Sequence, residues 1–373
     1  MRIAFFVHGY LPWDVYGVPR IVQRLSDYLV SREHQVTIIC AGRSGLPKVE
    51  ELKPNLMIYR TSFISISQNV SLPYQSLLSY TMGCCFEAFR VIKRRNIQLI
   101  HGHTVRYGGL QAAIVSQLTS LPLVLTDYAS YIPSSKWERL VLRRADALIC
   151  GYPPLKQKLI EIGIPQNRIF DIPTFINTDI YSQAKRRQSA IKRVLFIGRL
   201  TTFKGPLILL KAIPRVLKKI PYAHFLFVGD GVQRKMLEDL VTRLDLQRNV
   251  KFMGQQKETA KYLRNSDIFV ACSPIENYIS SSLCEAMASG LAIVATDVGY
   301  TSLVIKHRET GILCKPTPDD ISEKIVLLLE NNELRTRLGN NAKMFASKYL
   351  DTKINSAKIE KIYESILSTR EKH

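Results

Sequence analysis

The chain has 373 residues, 46% of them apolar, and its 52 Lys and Arg against 31 Asp and Glu give a formal net charge of +21. This length suggests two domains of roughly 100–200 residues each, and the apolar share excludes an intrinsically disordered chain. No stretch approaches the roughly 18 consecutive apolar residues of a membrane-spanning helix, and the seven cysteines never form a C-x-x-C pair, so neither a disulfide framework nor a structural zinc site is indicated.

The positive charge is spread along the chain, since residues 1–175 contain 20 basic and 11 acidic residues. Its local runs are short, as in Lys93-Arg94-Arg95, and no zinc finger or aromatic-and-arginine repeat accompanies them. A phosphate-rich substrate or an anionic membrane surface is therefore favoured as partner over nucleic acid. Because the apolar run Ile3–Val7 is too short for a signal peptide, we expect a cytoplasmic protein, at most peripheral on the inner face of the cell membrane.

Short apolar runs alternate with amphipathic stretches in the first half, which is typical of parallel βαβ units. The predicted strands are Ile3–Val7, Val36–Cys40, Leu99–His101, Leu123–Thr126, Ala147–Cys150 and Ile169–Ile172. The predicted helices are Pro19–Ser31, Tyr74–Arg95, Tyr107–Thr119, Lys136–Arg144 and Pro154–Ile162. The polar and basic stretch Thr174–Gln188 then interrupts the pattern and indicates a domain boundary.

The same alternation resumes in the second half. The predicted strands are Val194–Ile197, Phe225–Val228, Val250–Phe252, Ile268–Ala271 and Ala292–Ala295. The predicted helices are Pro206–Lys219, Gln233–Leu244, Glu258–Asn265, Ser282–Ser289, Pro318–Glu330, Leu334–Tyr349 and Thr352–Ser368. The last helix has one apolar stripe, so it either caps the second domain or crosses back to the first.

This pattern predicts an α/β protein made of two Rossmann-like, doubly wound domains. We expect an N-terminal domain over 1–175, a linker over 176–190, a second domain over 191–350 and a terminal helical segment over 351–373. Doubly wound domains bind ligands outside the carboxyl ends of their strands. The cleft between the two domains is therefore the expected site.

The segment Val194–Pro206 places two cations between a buried strand and a helix. Arg199 follows the strand directly, and Lys204 precedes a helix that has Pro206 in its first turn. Two cations beside the partial positive charge of a helix terminus suit a diphosphate that gains charge as it leaves. Taken alone, the pair could equally be two solvated surface residues.

A second segment, Ser273–Leu291, follows the strand Ile268–Ala271 and enters a helix. Glu285 lies in the first turns of that helix, where a carboxylate can accept hydrogen bonds from vicinal hydroxyls such as those of a ribose. The alternative is a capping box in which Glu285 reaches back to Ser282.

These two segments, in this order and at this distance, resemble the retaining glycosyltransferases of family four, which have the GT-B fold. The resemblance extends along nearly the whole chain as an ordered set of short motifs. They are Gly17-Val18-Pro19-Arg20, His101-Gly102-His103, Thr126-Asp127, Gly163-Ile164-Pro165, Gly229-Asp230-Gly231, Phe252-Met253-Gly254, Asp267–Val270, Glu285–Gly290 and Glu309–Leu313.

The resemblance implies transfer of a hexose-type sugar from a nucleotide diphosphate donor, with retention of configuration and without an obligatory metal or other cofactor. It assigns Arg199 and Lys204 to the diphosphate, Glu285 to the donor ribose and Glu276 to the hydroxyls of the donor sugar. The further residues that it places around the donor are Gly17, Gly198, Gly229, Asn277 and Ser281.

The sequence departs from the family pattern at several of these positions. Eight residues separate Glu276 from Glu285 where the family has seven, so either Glu276 or Asn277 meets the sugar. Tyr128 stands where the family usually has a histidine near the sugar C6 hydroxyl, and His103, or else His101, is a candidate substitute. Tyr16-Gly17 and Val298–Leu303 also lack residues that are common in the family.

The resemblance places the acceptor, a glycan or a lipid-linked precursor of cell-surface polysaccharide or glycolipid, on the first domain. His101 and Tyr128 are the candidate contacts, and His103 is a candidate catalytic residue. Helix Tyr74–Arg95 has the composition of a core-packing helix with a cationic end, although it could also lie in a membrane interface.

Two other functions remain open on the same residues. A nucleotide-sugar epimerase could share this architecture, although the pairing of Gly-Arg…Lys-Gly with Glu-Ala-Met-Ala-Ser-Gly argues against it. A binding subunit with weakened catalysis could keep Arg199, Lys204 and Glu285 while having lost sugar handling around Glu276 and Tyr128.

Overall fold

The computed structural model describes residues 1–12, 17–64, 74–128, 135–151, 153–182, 192–276 and 279–370. The chain forms two compact units, one made of Met1–Thr174 with Thr352–His373 and the other of Phe175–Asp351. Each unit is built around one sheet with helices between most of the successive strands. Among the residues described, no helix is both long and apolar enough to cross a bilayer.

The first unit contains an eight-stranded sheet in the order β3-β4-β2-β1-β5-β6-β7-β8. All neighbours are parallel except β3 and β4. The strands are β1 Arg2–Phe6, β2 Gln35–Gly42, β3 Val49–Lys53, β4 Leu56–Ile64, β5 Leu99–His103, β6 Leu123–Asp127, β7 Ala147–Cys150 and β8 Ile169–Asp171. The helices are α1 Val18–Ser31, α2 Tyr74–Arg95, α3 Leu110–Thr119, α4 Lys136–Arg144 and α5 Pro153–Glu161.

Local sequence explains most of these elements. The strands are apolar because helices cover both faces of a parallel sheet. Helix α4 begins at a capping box, in which Ser135 and Glu138 satisfy each other's backbone N–H groups. Strand β3 was not predicted, because its residues Glu50, Glu51 and Lys53 interrupt any apolar pattern, and its antiparallel partner β4 was not predicted either.

The second unit contains a six-stranded sheet in the order β11-β10-β9-β12-β13-β14, with every pair parallel. Its strands are β9 Lys192–Ile197, β10 Ala223–Val228, β11 Val250–Phe252, β12 Ile268–Ala271, β13 Ala292–Thr296 and β14 Ile312–Cys314. Its helices are α6 Thr178–Ser182, α7 Pro206–Lys219, α8 Arg234–Arg243, α9 Ala260–Arg264, α10 Ser281–Ala288, α11 Thr301–Val304, α12 Pro318–Glu330 and α13 Asn332–Tyr349. The strand order reverses between β9 and β12, which makes that point the topological switch of the sheet.

The segment predicted as a linker over 176–190 contains ordered structure in its first part. Helix α6 belongs to the second unit, and its first residue, Thr178, donates a hydrogen bond to Asp351 at 2.5 Å. The remainder of that segment, from residue 183 on, lies outside the described residues.

The terminal helix α14, Thr352–Arg370, belongs to the first unit. Glu360 on this helix is 6% exposed and accepts a hydrogen bond from the Tyr28 hydroxyl at 2.9 Å. The same carboxylate lies 2.7 Å from His34 Nε2. Tyr363, one turn further, is fully buried against His101 on β5. These contacts join the terminal helix to α1, to His34 after α1 and to β5 of the first unit.

Candidate functional site

Three parallel strands of the second unit end at one edge of the sheet, and the loops that follow them carry predicted residues. Arg199 follows β9, Gly229 follows β10 and Glu276 follows β12. Arg199 is exposed and stands two residues beyond the end of its strand. Because β9 and β12 are neighbours at the switch point, their loops meet there.

Lys204 and Glu276 form an ion pair across this switch point. The lysine Nζ lies 2.8 Å from Oε2 and 3.1 Å from Oε1 of the carboxylate. The side chains are 25% and 14% exposed, respectively, so the pair is half-buried and still open to a ligand. The Ser273 hydroxyl donates to the same Oε2 at 3.1 Å, and the carbonyl of Ser273 accepts from Thr296 at 2.6 Å. Glu276 is thus held directly by Lys204 and Ser273, and Ser273 is held in turn by Thr296.

Two glycines allow the loops to approach so closely. Gly205, the N-cap of α7, has φ +67°, and a Cβ there would lie 2.0 Å from the carbonyl oxygen of Cys272. Gly299 has φ +55°, and a Cβ there would lie 1.7 Å from the carbonyl oxygen of Glu276. Both positions combine a left-handed backbone with contact that excludes any side chain. The position of Glu276 therefore depends on two glycines, one before it and one after it in the sequence.

Backbone hydrogen bonds tie the glycine loops after β9, β10 and β11 together. The N–H of Gly198 donates to Val228 at 3.0 Å, and that of Gly229 donates to Gly254 at 2.9 Å. Asp230 accepts from the backbone N–H of Gly231 at 2.8 Å, and this hydrogen bond holds the pKa of Asp230 below its usual value. These bonds hold the glycine backbone at the carboxyl ends of β9, β10 and β11 in place, next to Arg199 in the sequence.

Helix α10 begins at Ser281, with Ser280 as its N-cap. Glu285 is therefore one turn inside the helix, so the capping-box interpretation that joined it to Ser282 is wrong. Its carboxylate instead accepts a hydrogen bond from the Thr259 hydroxyl at 3.2 Å, just before α9. Asn277, the alternative to Glu276, lies outside the described residues.

The candidate residues of the first unit are buried. His101 is fully buried, with Nε2 at 2.7 Å from the Thr126 hydroxyl and Nδ1 at 2.5 Å from that of Tyr363. Burial lowers its pKa well below the usual range. With both ring nitrogens engaged, His101 has the geometry of a structural residue rather than of an acceptor contact.

His103 is also fully buried, and its Nδ1 lies 2.9 Å from the Tyr128 hydroxyl. Burial lowers its pKa to about 3, so the ring is neutral near pH 7. Its Nε2 has no hydrogen-bond partner among the described residues.

Gly17, which precedes α1, is exposed and has φ +60°.

The sequence did not single out Ser273, Thr259 or Tyr363 for these contacts. A serine three residues before a glutamate is too common a pattern to signal contact, and the other two partners are distant in sequence from the residues they bind.

Within the described part of the chain, no group of three His, Cys, Asp or Glu side chains could hold a metal ion. The second unit thus presents two cationic side chains, Arg199 and Lys204, the carboxylate of Glu276 and the glycine backbone. This set suits a diphosphate attached to a polyhydroxylated group.

Family models match both halves of the chain. Residues 177–345 match a model described as Glycosyl transferases group 1. Residues 15–180 match a model described as Glycosyltransferase Family 4.

Two curated relatives align over most of the chain. The N-acetyl-alpha-D-glucosaminyl L-malate synthase of Bacillus anthracis is 24% identical over 92% of this chain and 92% of its own. One component of the phosphatidylinositol N-acetylglucosaminyltransferase of Arabidopsis thaliana is 25% identical over 83% of this chain and 70% of its own.

Among solved structures, the HepE protein of Anabaena in complex with UDP-glucose superimposes with a TM-score of 0.74 at 18% identity. The superposition covers 98% of this chain and 100% of that one. At this identity the likeness concerns the fold, and it confirms the predicted pair of Rossmann-like domains.

Proposed function

The chain belongs to the group 1 glycosyltransferases of family four, with the GT-B fold, and from that premise we propose that it is a retaining hexosyltransferase that uses a nucleotide diphosphate sugar. The proposed acceptor is a hydroxyl of a glycan or of a lipid-linked precursor, since one relative is named for N-acetylglucosamine transfer to phosphatidylinositol. Uridine diphosphate is the proposed nucleotide because the structure of HepE contains UDP-glucose.

The observation that carries the proposal is the Lys204–Glu276 pair at the switch point of the second sheet. Without ligand, the two side chains neutralise each other at 2.8 Å. A donor diphosphate supplies the negative charge that Lys204 and the exposed Arg199 then hold. Glu276 keeps its hydrogen bond from Ser273 and gains the capacity to accept from sugar hydroxyls.

The chemical step breaks the bond between the anomeric carbon and the diphosphate oxygen while an acceptor oxygen attacks from the same face. Charge develops on the departing phosphate, and Arg199 and Lys204 stabilise it as preorganised cations. The leaving phosphate oxygen takes the acceptor proton, so the step needs neither an enzymatic nucleophile nor an obligatory metal. A glycosyl adduct trapped on a carboxylate of this chain would contradict this mechanism.

The first test is thermal unfolding with UDP, GDP, ADP, UDP-glucose and UDP-N-acetylglucosamine. A ligand at 100 times its dissociation constant adds about 2.7 kcal/mol to the free energy of unfolding, or roughly 5–10 °C for a unit of this size. Arg199→Ala and Glu285→Ala are expected to abolish the shift. Arg215→Ala, an exposed arginine of α7 in the same unit, is the matched control and is expected to retain it.

Turnover separates the proposal from its two alternatives. Release of the nucleotide diphosphate with a sugar transferred at retained configuration supports the proposed enzyme. A stabilising nucleotide sugar without turnover would favour a binding subunit, and release of a sugar epimerised at C2 would favour the epimerase. Failure of every nucleotide to shift the transition would contradict the donor site itself.

A further inference from the structure

Helix α2 of the first unit has two apolar faces, and one of them is covered by the core. Its covered face consists of Thr81, Cys84, Ala88 and Val91, each less than a tenth exposed. The Thr81 hydroxyl accepts a hydrogen bond from Gln111 of α3 at 2.9 Å, and the Tyr80 hydroxyl lies 3.4 Å from the carbonyl oxygen of Val7, just past β1. This face accounts for the prediction of a core-packing helix.

The opposite face presents large apolar side chains to solvent. Met82 is 66% exposed, Phe86 67% and Phe89 36%. Their spacing of four and three residues places them on one side of the helix. Two exposed phenylalanines and a methionine in one stripe form the kind of contiguous apolar patch that marks an interaction surface. We call these three residues the α2 stripe.

Positive charge continues the same side of the helix. Lys93 follows Phe89 by four residues and Phe86 by seven, and it is exposed together with Arg90 and Arg94. The helix sequence carries four basic residues and one acidic residue, Glu87. The surface is therefore apolar along its middle and cationic at its C-terminal end.

From this juxtaposition we propose that the α2 stripe and its cationic end form a docking surface for an anionic lipid membrane. Aromatic and methionine side chains enter the interfacial region of a bilayer, where their apolar area leaves water. Lysine and arginine beside them meet the negative charge of the lipid headgroups. A protein partner or a second copy would bury the stripe equally well. A second copy, however, would present the same helix, with four basic residues and one acidic residue, on a chain of net charge +21.

The proposal is independent of the donor site, because it concerns a helix of the first unit, whereas the candidate donor residues beyond Gly17 belong to the second. The contact between Tyr80 and the end of β1 places α2 beside the carboxyl edge of the first sheet. A membrane-bound α2 would hold that edge close to lipid.

Vesicle sedimentation of the full chain tests the proposal. Vesicles of phosphatidylcholine alone are compared with vesicles containing one quarter phosphatidylglycerol, at about 0.05 M and about 0.5 M salt. The chain is expected to bind the anionic vesicles and to be released by high salt. Phe86→Ser with Phe89→Ser is expected to weaken binding by about tenfold per phenylalanine.

Charge reversal provides the matched pair of variants. Lys93→Glu with Arg94→Glu is expected to weaken binding to anionic vesicles by about fivefold or more per residue. Lys218→Glu with Lys219→Glu makes the same change in charge at the exposed C-terminal end of α7 in the second unit, and it is expected to retain most of the binding.

Unchanged thermal unfolding of each variant shows that the fold is kept. Equal loss in both charge-reversed variants would overturn the proposal in favour of attraction by net charge alone. Absence of binding to anionic vesicles would overturn it as well. So would a concentration-dependent dimer, measured by light scattering, that dissociates in the Phe86→Ser/Phe89→Ser variant, since it would identify a second copy as the occupant.

Discussion

Gly205→Ala tests whether the two loops at the switch point need their close approach. The new Cβ would lie 2.0 Å from the carbonyl oxygen of Cys272, a distance that real Cβ atoms do not adopt. Gly290→Ala, in the same unit, is the matched control. Its φ of +72° is close to the +67° of Gly205, but its Cβ would meet nothing nearer than 3.7 Å. The two variants therefore share backbone strain and differ in the steric clash.

The magnitudes follow from these distances. An alanine in the left-handed region costs about 1–2 kcal/mol, and both variants bear that cost. Relieving the clash at Gly205 requires a shift of the β9 or β12 loop, which adds about 1–3 kcal/mol, as for an overpacked core. With roughly 2–4 °C per kcal/mol for a unit of this size, Gly205→Ala should unfold roughly 2–12 °C below Gly290→Ala.

Thermal unfolding with and without UDP separates stability from the site. Lys204 precedes Gly205, and Cys272 leads to Ser273 and Glu276, so the shift displaces the Lys204–Glu276 pair. We expect at least a tenfold loss of UDP affinity in Gly205→Ala and little change in Gly290→Ala. Equal unfolding temperatures would refute the steric argument. A lower temperature with unchanged UDP affinity would confirm the clash but refute the dependence of the site on this loop.

Three single substitutions probe contacts elsewhere in the chain. The free energy of unfolding should fall as the pH drops from 6.5 towards 3, because over this range the unfolded chain protonates His103 and the folded chain does not. In urea unfolding, His103→Gln should reduce the dependence of this free energy on pH. An unchanged pH dependence would contradict the argument. Glu360→Gln should lower stability by about 1–3 kcal/mol and speed proteolytic release of α14, because its partners lose the carboxylate, whereas exposed Glu364→Gln should do neither. Ser273→Ala should lower turnover about tenfold, as for one hydrogen bond to the charged Glu276, with UDP binding kept; an equal loss of both would indicate a structural contact alone.

Much of the fold could be predicted from local sequence. Helices α2, α4, α7 and α12 have the bounds that their apolar periodicity and terminal residues predicted. The helix before β6 begins later than predicted, at Leu110, because a wider helical turn, Val105–Gly109, precedes it. Strands β3 and β14 were missed, since short or charged edge strands carry little periodicity, and the longer interior strand β4 was missed as well.

Local sequence was sufficient to identify the residues that could bind a diphosphate sugar. Gly198, Arg199, Lys204 and Glu285 are recognisable because the ends of parallel strands and the starts of helices are encoded locally. Their order along the chain also identified the family before any contact was known.

Which of these side chains meet, and what covers them, follows from the tertiary packing and not from local sequence. Lys204 pairs with Glu276 at a separation of 72 residues, and Tyr363 reaches His101 at a separation of 262. The exposure of Phe86 is of the same kind, because an apolar residue at helical spacing shows that a face is hydrophobic but not whether anything packs on it. Hydrophobic periodicity is a property of residues that are close together in the sequence. Side-chain pairing, burial and exposure depend on segments that are far apart in the sequence.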